Sequence, residues 1–216
     1  GNPQRLAERK TAQYPRSWRP DGKVLAFRQS NSGTGTDIMT LPLEGDEKSG
    51  WKAGEPKPFV NSPFNEDQPA FSPDGRWLAY QSNESGNNEV YVRPFPGPGG
   101  KWQISTGGGL YPKWSRNGKE LFYRSTDSKI MAATYTASGD TFRADKPQLW
   151  SPGQFTDPSS SALGGGISNF DLHPDGKRFA VLKSADAEGT PVVNNKVSFI
   201  FNFFDELRSK LPPSNN

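Results

Sequence analysis

The 216-residue sequence contains no cysteine, one histidine and two methionines. Without cysteine there is no disulfide framework, no thiolate metal site and no thiol nucleophile. The single His173 excludes any site that needs two imidazoles. Aliphatic side chains are scarce: Leu, Ile, Val and Phe together make up about 19% of the chain, near the level at which chains stay disordered. Charge of one sign is missing too. The 26 basic and 23 acidic residues leave a net charge of only +3, whereas disordered chains usually carry a large net charge. No run of 18 apolar residues occurs, so no transmembrane helix is expected. The basic residues are dispersed and form no arm of the kind that grips nucleic acid, which is therefore not an expected partner. The first ten residues lack the apolar segment of a signal peptide, and compartment is left open.

What is present is turn-forming and aromatic. Gly (23) and Pro (20) make up about a fifth of the chain, which argues for many short strands rather than a helical bundle. Six Trp, six Tyr and fourteen Phe supply the missing apolar area. Four segments align: Trp18-Arg19-Pro20-Asp21-Gly22-Lys23-Val24-Leu25-Ala26-Phe27, then Phe71 to Tyr80, Trp114 to Tyr123 and Leu172 to Val181. Their turn glycines stand at 22, 75, 118 and 176, 43–58 residues apart. Asp-Gly or Asn-Gly between apolar flanks is a hairpin signal: Gly accepts positive φ, and Asp or Asn tolerates it while bonding nearby backbone. Each hairpin is followed by a third apolar run, at 37–41, 89–93, 129–133 and 197–201. The first three repeats add a short fourth, at 57–59, 101–104 and 147–150.

Four strands at this spacing predict an all-β propeller of four four-stranded blades, about 14–59, 67–104, 110–150 and 167–204, in one domain of 1–216. Residues 205–211 read as a short amphipathic helix stopped by Pro212 and Pro213. Residues 3–7 read as a fourth strand with no blade before it. They are expected to close the ring by adding to 197–203, either within one chain or by exchange in an eight-bladed homodimer, unless the chain is part of a larger propeller. Something must cover the 197–203 edge, which would otherwise template aggregation. Trp18, Phe71, Trp77 and Trp114 are expected to pack between blades.

The motif Trp/Phe-Ser-Pro-Asp-Gly-Lys/Arg-x-Leu-Ala-Phe/Tyr, almost complete at 71–80, resembles the TolB-type, WD40-like β-propeller repeat. Residues 83–96 and 201–207 resemble the propeller that follows bacterial serine/threonine kinase domains. Arg19, Arg116 and His173 depart from the repeat's usual Ser or Pro. The resemblance implies the propeller fold and an extracytoplasmic location. Of function it implies only a choice, since such folds host binding, sensing and hydrolytic proteins alike. No Gly-rich nucleotide loop, His-Arg-Asp or Asp-Phe-Gly of a kinase occurs.

Candidate chemistry gathers where links between blades approach a central channel. Tyr14, Arg16, Tyr111 and Lys113 offer aromatic and cationic groups for an anionic or peptide ligand; their structural alternative is packing with snorkelling charged ends. Glu66 and Asp67 precede one innermost strand, and Asn169 and Asp171 match them in repeat four. Converging there, they would suit Ca²⁺, as in the calcium-dependent lactonases built on other propellers; otherwise they are solvated loop and capping residues. His173 is a candidate general base or simply a turn residue. Asp21, Asp74, Asn117 and Asp175 recur in every repeat, as turn chemistry does and a catalytic carboxylate does not. Gly107–Gly109 and Gly164–Gly166 lack the Lys-Ser/Thr and helix of a phosphate loop. The expected function is a non-catalytic binding or sensing module for a protein, peptide or small molecule, needing no cofactor. The alternative is a Ca²⁺-dependent lactonase or esterase.

Overall fold

The computed structural model describes residues 11–46, 48–151, 168, 170–181 and 198–199. Among them there are strands and turns and no helix. The expected closing strand 3–7 and helix 205–211 lie outside the described residues, as does all of 197–203 except Ser198 and Phe199. The chain divides into two compact units, Gly1–Pro152 and Gly153–Asn216.

The first unit holds three antiparallel sheets. Sheet one contains β1 (Gln13–Trp18), β2 (Val24–Asn31), β3 (Gly35–Asp46), β4 (Gly50–Ala53) and β5 (Lys57–Val60). Sheet two contains β6 (Glu66–Phe71), β7 (Trp77–Ser82), β8 (Glu89–Pro94) and β9 (Trp102–Gln103). Sheet three repeats the first: β10 (Leu110–Trp114), β11 (Glu120–Arg124), β12 (Ile130–Ser138), β13 (Thr141–Ala144) and β14 (Gln148–Ser151). In the second unit β15 (Phe170–Leu172), β16 (Phe179–Val181) and β17 (Ser198–Phe199) form a three-stranded antiparallel sheet.

All four sheets begin with the same hairpin. The amide of Arg19, Ser72, Ser115 or His173 donates to the carbonyl of Val24, Trp77, Glu120 or Arg178, and the glycine amide three residues on donates back to the same residue's carbonyl. The Asp21, Asp74, Asn117 or Asp175 side chain then accepts from the backbone amide two residues later. Only the glycine takes positive φ, between 67° and 70°. The turn is therefore of type I closed by a left-handed glycine, and Asp or Asn works through its carboxyl or amide oxygen rather than through an unusual backbone.

Sheet two is covered on both faces. In β7, Leu78 and Tyr80 join Val24, Ala26, Ile38 and Val60 of sheet one. Their neighbours Trp77 and Ala79 join Trp114, Leu121, Tyr123 and Ala133 of sheet three. Consecutive residues thus serve opposite interfaces, which is why the strand reads as a continuous apolar run. Phe71, Trp77 and Trp114 are buried as expected, but Trp18 is 50% exposed. It stands opposite Leu25 on β1, and sheet two packs on the other face, carried by Val24 and Ala26.

Two hairpin arms are additions that the repeat does not announce. β3 and β12, twelve and nine residues long, outrun their sheet partners and pair their far halves with β4 and β13. The β12–β13 arm inserts Phe142 among Trp77, Trp102, Trp114 and Tyr135, with ring centroids 5.1–6.0 Å away, and Arg76 donates to the Gly139 carbonyl at its tip. Phe142→Ala is expected to lower the unfolding free energy by about 3–5 kcal/mol in urea titrations. Leu149→Ala, on a side chain 51% exposed, is expected to change it by less than about 0.5 kcal/mol.

Candidate functional site

The first strands of the three sheets in the first unit meet: β6 contacts both β1 and β10. Each carries a register shift, at Pro15/Ser17, Asp67/Ala70 and Leu110/Lys113. A bulge bends a strand and re-aims its side chains. Within the latter two, Gln68 and Tyr111 hold a φ of 55°, a left-handed backbone that non-glycine residues occupy at a cost of about 1–3 kcal/mol. Each precedes a proline, which narrows its backbone choices further. The Tyr111 amide donates to Gln81 Oε1 of sheet two at 3.1 Å, and the Gln68 amide to Asp67 Oδ1 at 2.6 Å.

Over these bulges lies a cavity of about 480 Å³. Its cations are Arg16 from sheet one and Lys113 and Arg116 from sheet three, and no carboxylate belongs to its lining. Its apolar wall includes Pro69, Phe71, Tyr111, Pro112 and Trp114. Of the expected ligand residues, Arg16, Tyr111 and Lys113 are brought together here. Tyr14 is not in the lining: its ring lies 4.2 Å from the Arg28 guanidinium and 5.8 Å from that of Arg16. Gln68 and Arg116 are lining residues that the sequence reading did not select. Arg116 had a signal, since it replaces the proline found at 20, 73 and 174 in the sister turns. Gln68 belongs to the stretch 65–68 whose oxygens stand out before an innermost strand, but its place in the lining comes from a backbone bulge.

At the other end of β6 the carboxylates are held by the protein itself. Asp67 accepts from Arg16 Nε at 3.3 Å and Arg28 Nη1 at 3.1 Å, and Arg28 is buried. Glu66 is fully buried. Its Oε1 accepts from Ser62 at 2.5 Å and Ser82 at 3.4 Å, while Oε2 has no partner. Burial raises the Glu66 carboxyl above its ordinary value; Asp37 and Glu84 add to this and the two serine hydrogen bonds oppose it. As metal donors the two differ: Asp67 already faces two guanidiniums, and Glu66 has one oxygen to give. Asp171 is exposed on β15 of the second unit, and Asn169 lies outside the described residues. Among the described residues no three His, Cys, Asp or Glu side chains sit together as a metal site would require.

His173 occupies its turn as Ser72 and Ser115 do theirs. Nδ1 accepts from the Asp175 amide at 3.2 Å and lies 3.1 Å from Asp175 Oδ2. The Lys177 amide, with Arg178 and His173, holds the Asp175 carboxyl down to about 2. Gly107 and Gly108 do cradle an anion, but an internal one: both amides donate to Glu89 Oε1 at 2.8 Å, and Ser105 donates to Oε2. Gly164–Gly166 lie outside the described residues.

Two substitutions test the polar ends of β6. Asp67→Asn leaves the buried Arg28 without its counter-charge and is expected to cost about 3–5 kcal/mol in denaturant titrations. Glu66 has a folded-state value above its unfolded one. Its stabilising contribution is therefore full below the ordinary glutamate range and is lost as pH rises through the raised value. Melting curves from pH 4 to 8 should show Glu66→Gln gaining stability relative to the parent as pH increases; parallel curves would contradict the assignment.

No family model and no curated protein matches the chain. Among solved structures it is similar to a TolB candidate from Agrobacterium tumefaciens, with 20% identity, a TM-score of 0.47 and coverage of 64% of this chain and 50% of that one. It is similar to a 6-phosphogluconolactonase candidate from Bacteroides uniformis at 18% identity and a TM-score of 0.48, covering 79% of this chain and 47% of the other. TolB from Acinetobacter baumannii matches at 15% identity and a TM-score of 0.40, over 83% and 50% of the two chains. The chain spans about half the length of these structures.

Proposed function

We propose that this chain is a binding or sensing module of the β-propeller type, its four sheets acting as blades and its ligand seated in the cavity on the first strands. The observation that carries the reading is the meeting of Arg16, Lys113 and Arg116 around one concavity with no carboxylate in its lining. Two strained positions beneath it support the same reading, because backbone strain persists where the surroundings over-determine a functional geometry. Strands place charges more rigidly than loops do. A protein, peptide or small molecule would enter by a negatively charged group. Ring closure through 3–7 and 197–203, within one chain or in a homodimer, and an extracytoplasmic location complete the proposal.

One observation favours a second reading: the partnerless Oε2 of buried Glu66. In a Ca²⁺-dependent lactonase or esterase, Glu66 would offer this oxygen to the ion, which when bound would polarise a carbonyl or activate water.

The two readings separate in one preparation. Acidic peptides titrated into the full chain are expected to bind. Arg116→Gln should weaken them about tenfold or more, as the loss of a charged hydrogen bond of about 1.5–3 kcal/mol requires, without moving the melting temperature. Chelator treatment should leave melting unchanged. Lactone or ester turnover that vanishes with chelator, in a protein that binds no anionic peptide, would replace the binding reading with the hydrolase.

A further inference from the structure

The cavity's wall chemistry restricts which anion it can take, and this inference rests on the binding reading above. Phosphate sites in proteins draw on several backbone N–H groups, at helix N-termini or in glycine nests. The backbone here supplies few: Pro20, Pro69, Pro73 and Pro112 all belong to the lining, and proline has no N–H. The nearby glycine nest of Gly107 and Gly108 is already filled by Glu89. Donors to a ligand are therefore side chains. Arg116 is the exposed one and makes no ion pair among the described residues. A guanidinium presents a planar fork that pairs a carboxylate or a phosphate with two parallel hydrogen bonds; the fork satisfies both oxygens of a carboxylate, whereas the remaining oxygens of a phosphate need further donors, of which this proline-rich backbone supplies few.

Size and apolar surface complete the restriction. A cavity of about 480 Å³ falls in the range that buries organic ligands of many atoms, far beyond a bare inorganic ion. The proline rings and the edges of Phe71 and Trp114 give it an apolar floor beside the cations. The prolines are conformationally fixed, and the aromatic side chains are packed: Trp114 Nε1 donates to the Ala70 carbonyl at 2.8 Å, and Phe71 meets Phe95 edge-on at 4.9 Å. The floor is thus preformed, which lowers the cost of seating an apolar body.

We propose that the cavity recognises organic carboxylates carrying an apolar body and discriminates against inorganic phosphate and phosphate esters. Arg116 takes the carboxylate, Lys113 adds positive charge beside it while Arg16 is shared with Asp67, and the proline and aromatic wall takes the body. Arg116 is the specificity-determining residue, and its origin is the substitution of proline in the third turn.

The test is calorimetric titration of the full chain with 2-naphthoate, acetate, inorganic phosphate, phenyl phosphate and neutral 2-naphthamide. 2-Naphthoate is expected to bind at least tenfold tighter than each of the others. Arg116→Gln should abolish that advantage with an unchanged melting temperature, and Arg116→Lys should restore it only in part because the fork is gone. Lys119→Gln, in the same turn but outside the lining, should have no effect. Phosphate or phenyl phosphate binding as tightly as 2-naphthoate, equal binding of the amide, or insensitivity to Arg116→Gln would overturn the inference. Acidic peptides that bind while 2-naphthoate does not would overturn it and leave the binding module standing. Binding of no anion at all would remove both.

Discussion

Trp77 and Leu78 are adjacent in the chain and belong to different interfaces, one facing sheet three and the other sheet one. Sheet two has no solvent face, so sliding β7 by one residue would exchange its two packing surfaces at once. Register must be fixed before packing can be selective. The hairpin does this locally, with one backbone pair closing the turn and one side-chain oxygen capping it in each of the four sheets. The bulges on the first strands, and hence the cavity, inherit their positions from that register. A change at an exposed turn could therefore displace groups several residues along the strand without touching them.

Charge is sorted along the first strands. Toward the start of β6 and β8 the carboxylates are engaged by the protein: Asp67 by two arginines, Glu89 by two glycine amides and a serine. Toward the hairpin turns the groups facing the cavity are cations. Burying a carboxylate is tolerable when its lone pairs are satisfied inside, and this leaves the negative charge of that end facing protein rather than solvent. Glu66 is the exception, buried with one oxygen partnerless. Its cost is reduced by holding the proton, the direction in which burial moves its titration.

The turns and the strands that flank them were legible because their signals are local and repeated. Asp-Gly with an apolar residue on either side needs no distant partner to fold into a hairpin. The β12–β13 arm was not legible, because Thr141 to Ala144 carries one apolar position worth burying, Phe142, and its pocket is assembled from Trp77 and Trp102 of another sheet. Trp18 shows the opposite error: a repeat position that is buried in sheets two and three is half exposed in the first, since position in a repeat does not specify which neighbour covers it. The cavity was half legible. Arg16, Tyr111 and Lys113 stand out as charged or aromatic residues beside prolines. Tyr14 looked equivalent to them, but its ring lies against Arg28.

Arg116 links these levels. In the sister repeats a proline at this position stiffens the turn; here the turn closes without it, because the Ser115 and Asn117 side chains form the same cap seen around Asp74. The turn tolerates the replacement because its geometry rests on the Asn-Gly pair and not on the residue before it. An exposed guanidinium is thereby placed on a fixed scaffold at the rim of a cavity whose apolar wall is proline and aromatic. An arginine that the turn does not require, and that makes no ion pair among the described residues, is better explained by a ligand than by stability, since exposed charges contribute little to the latter.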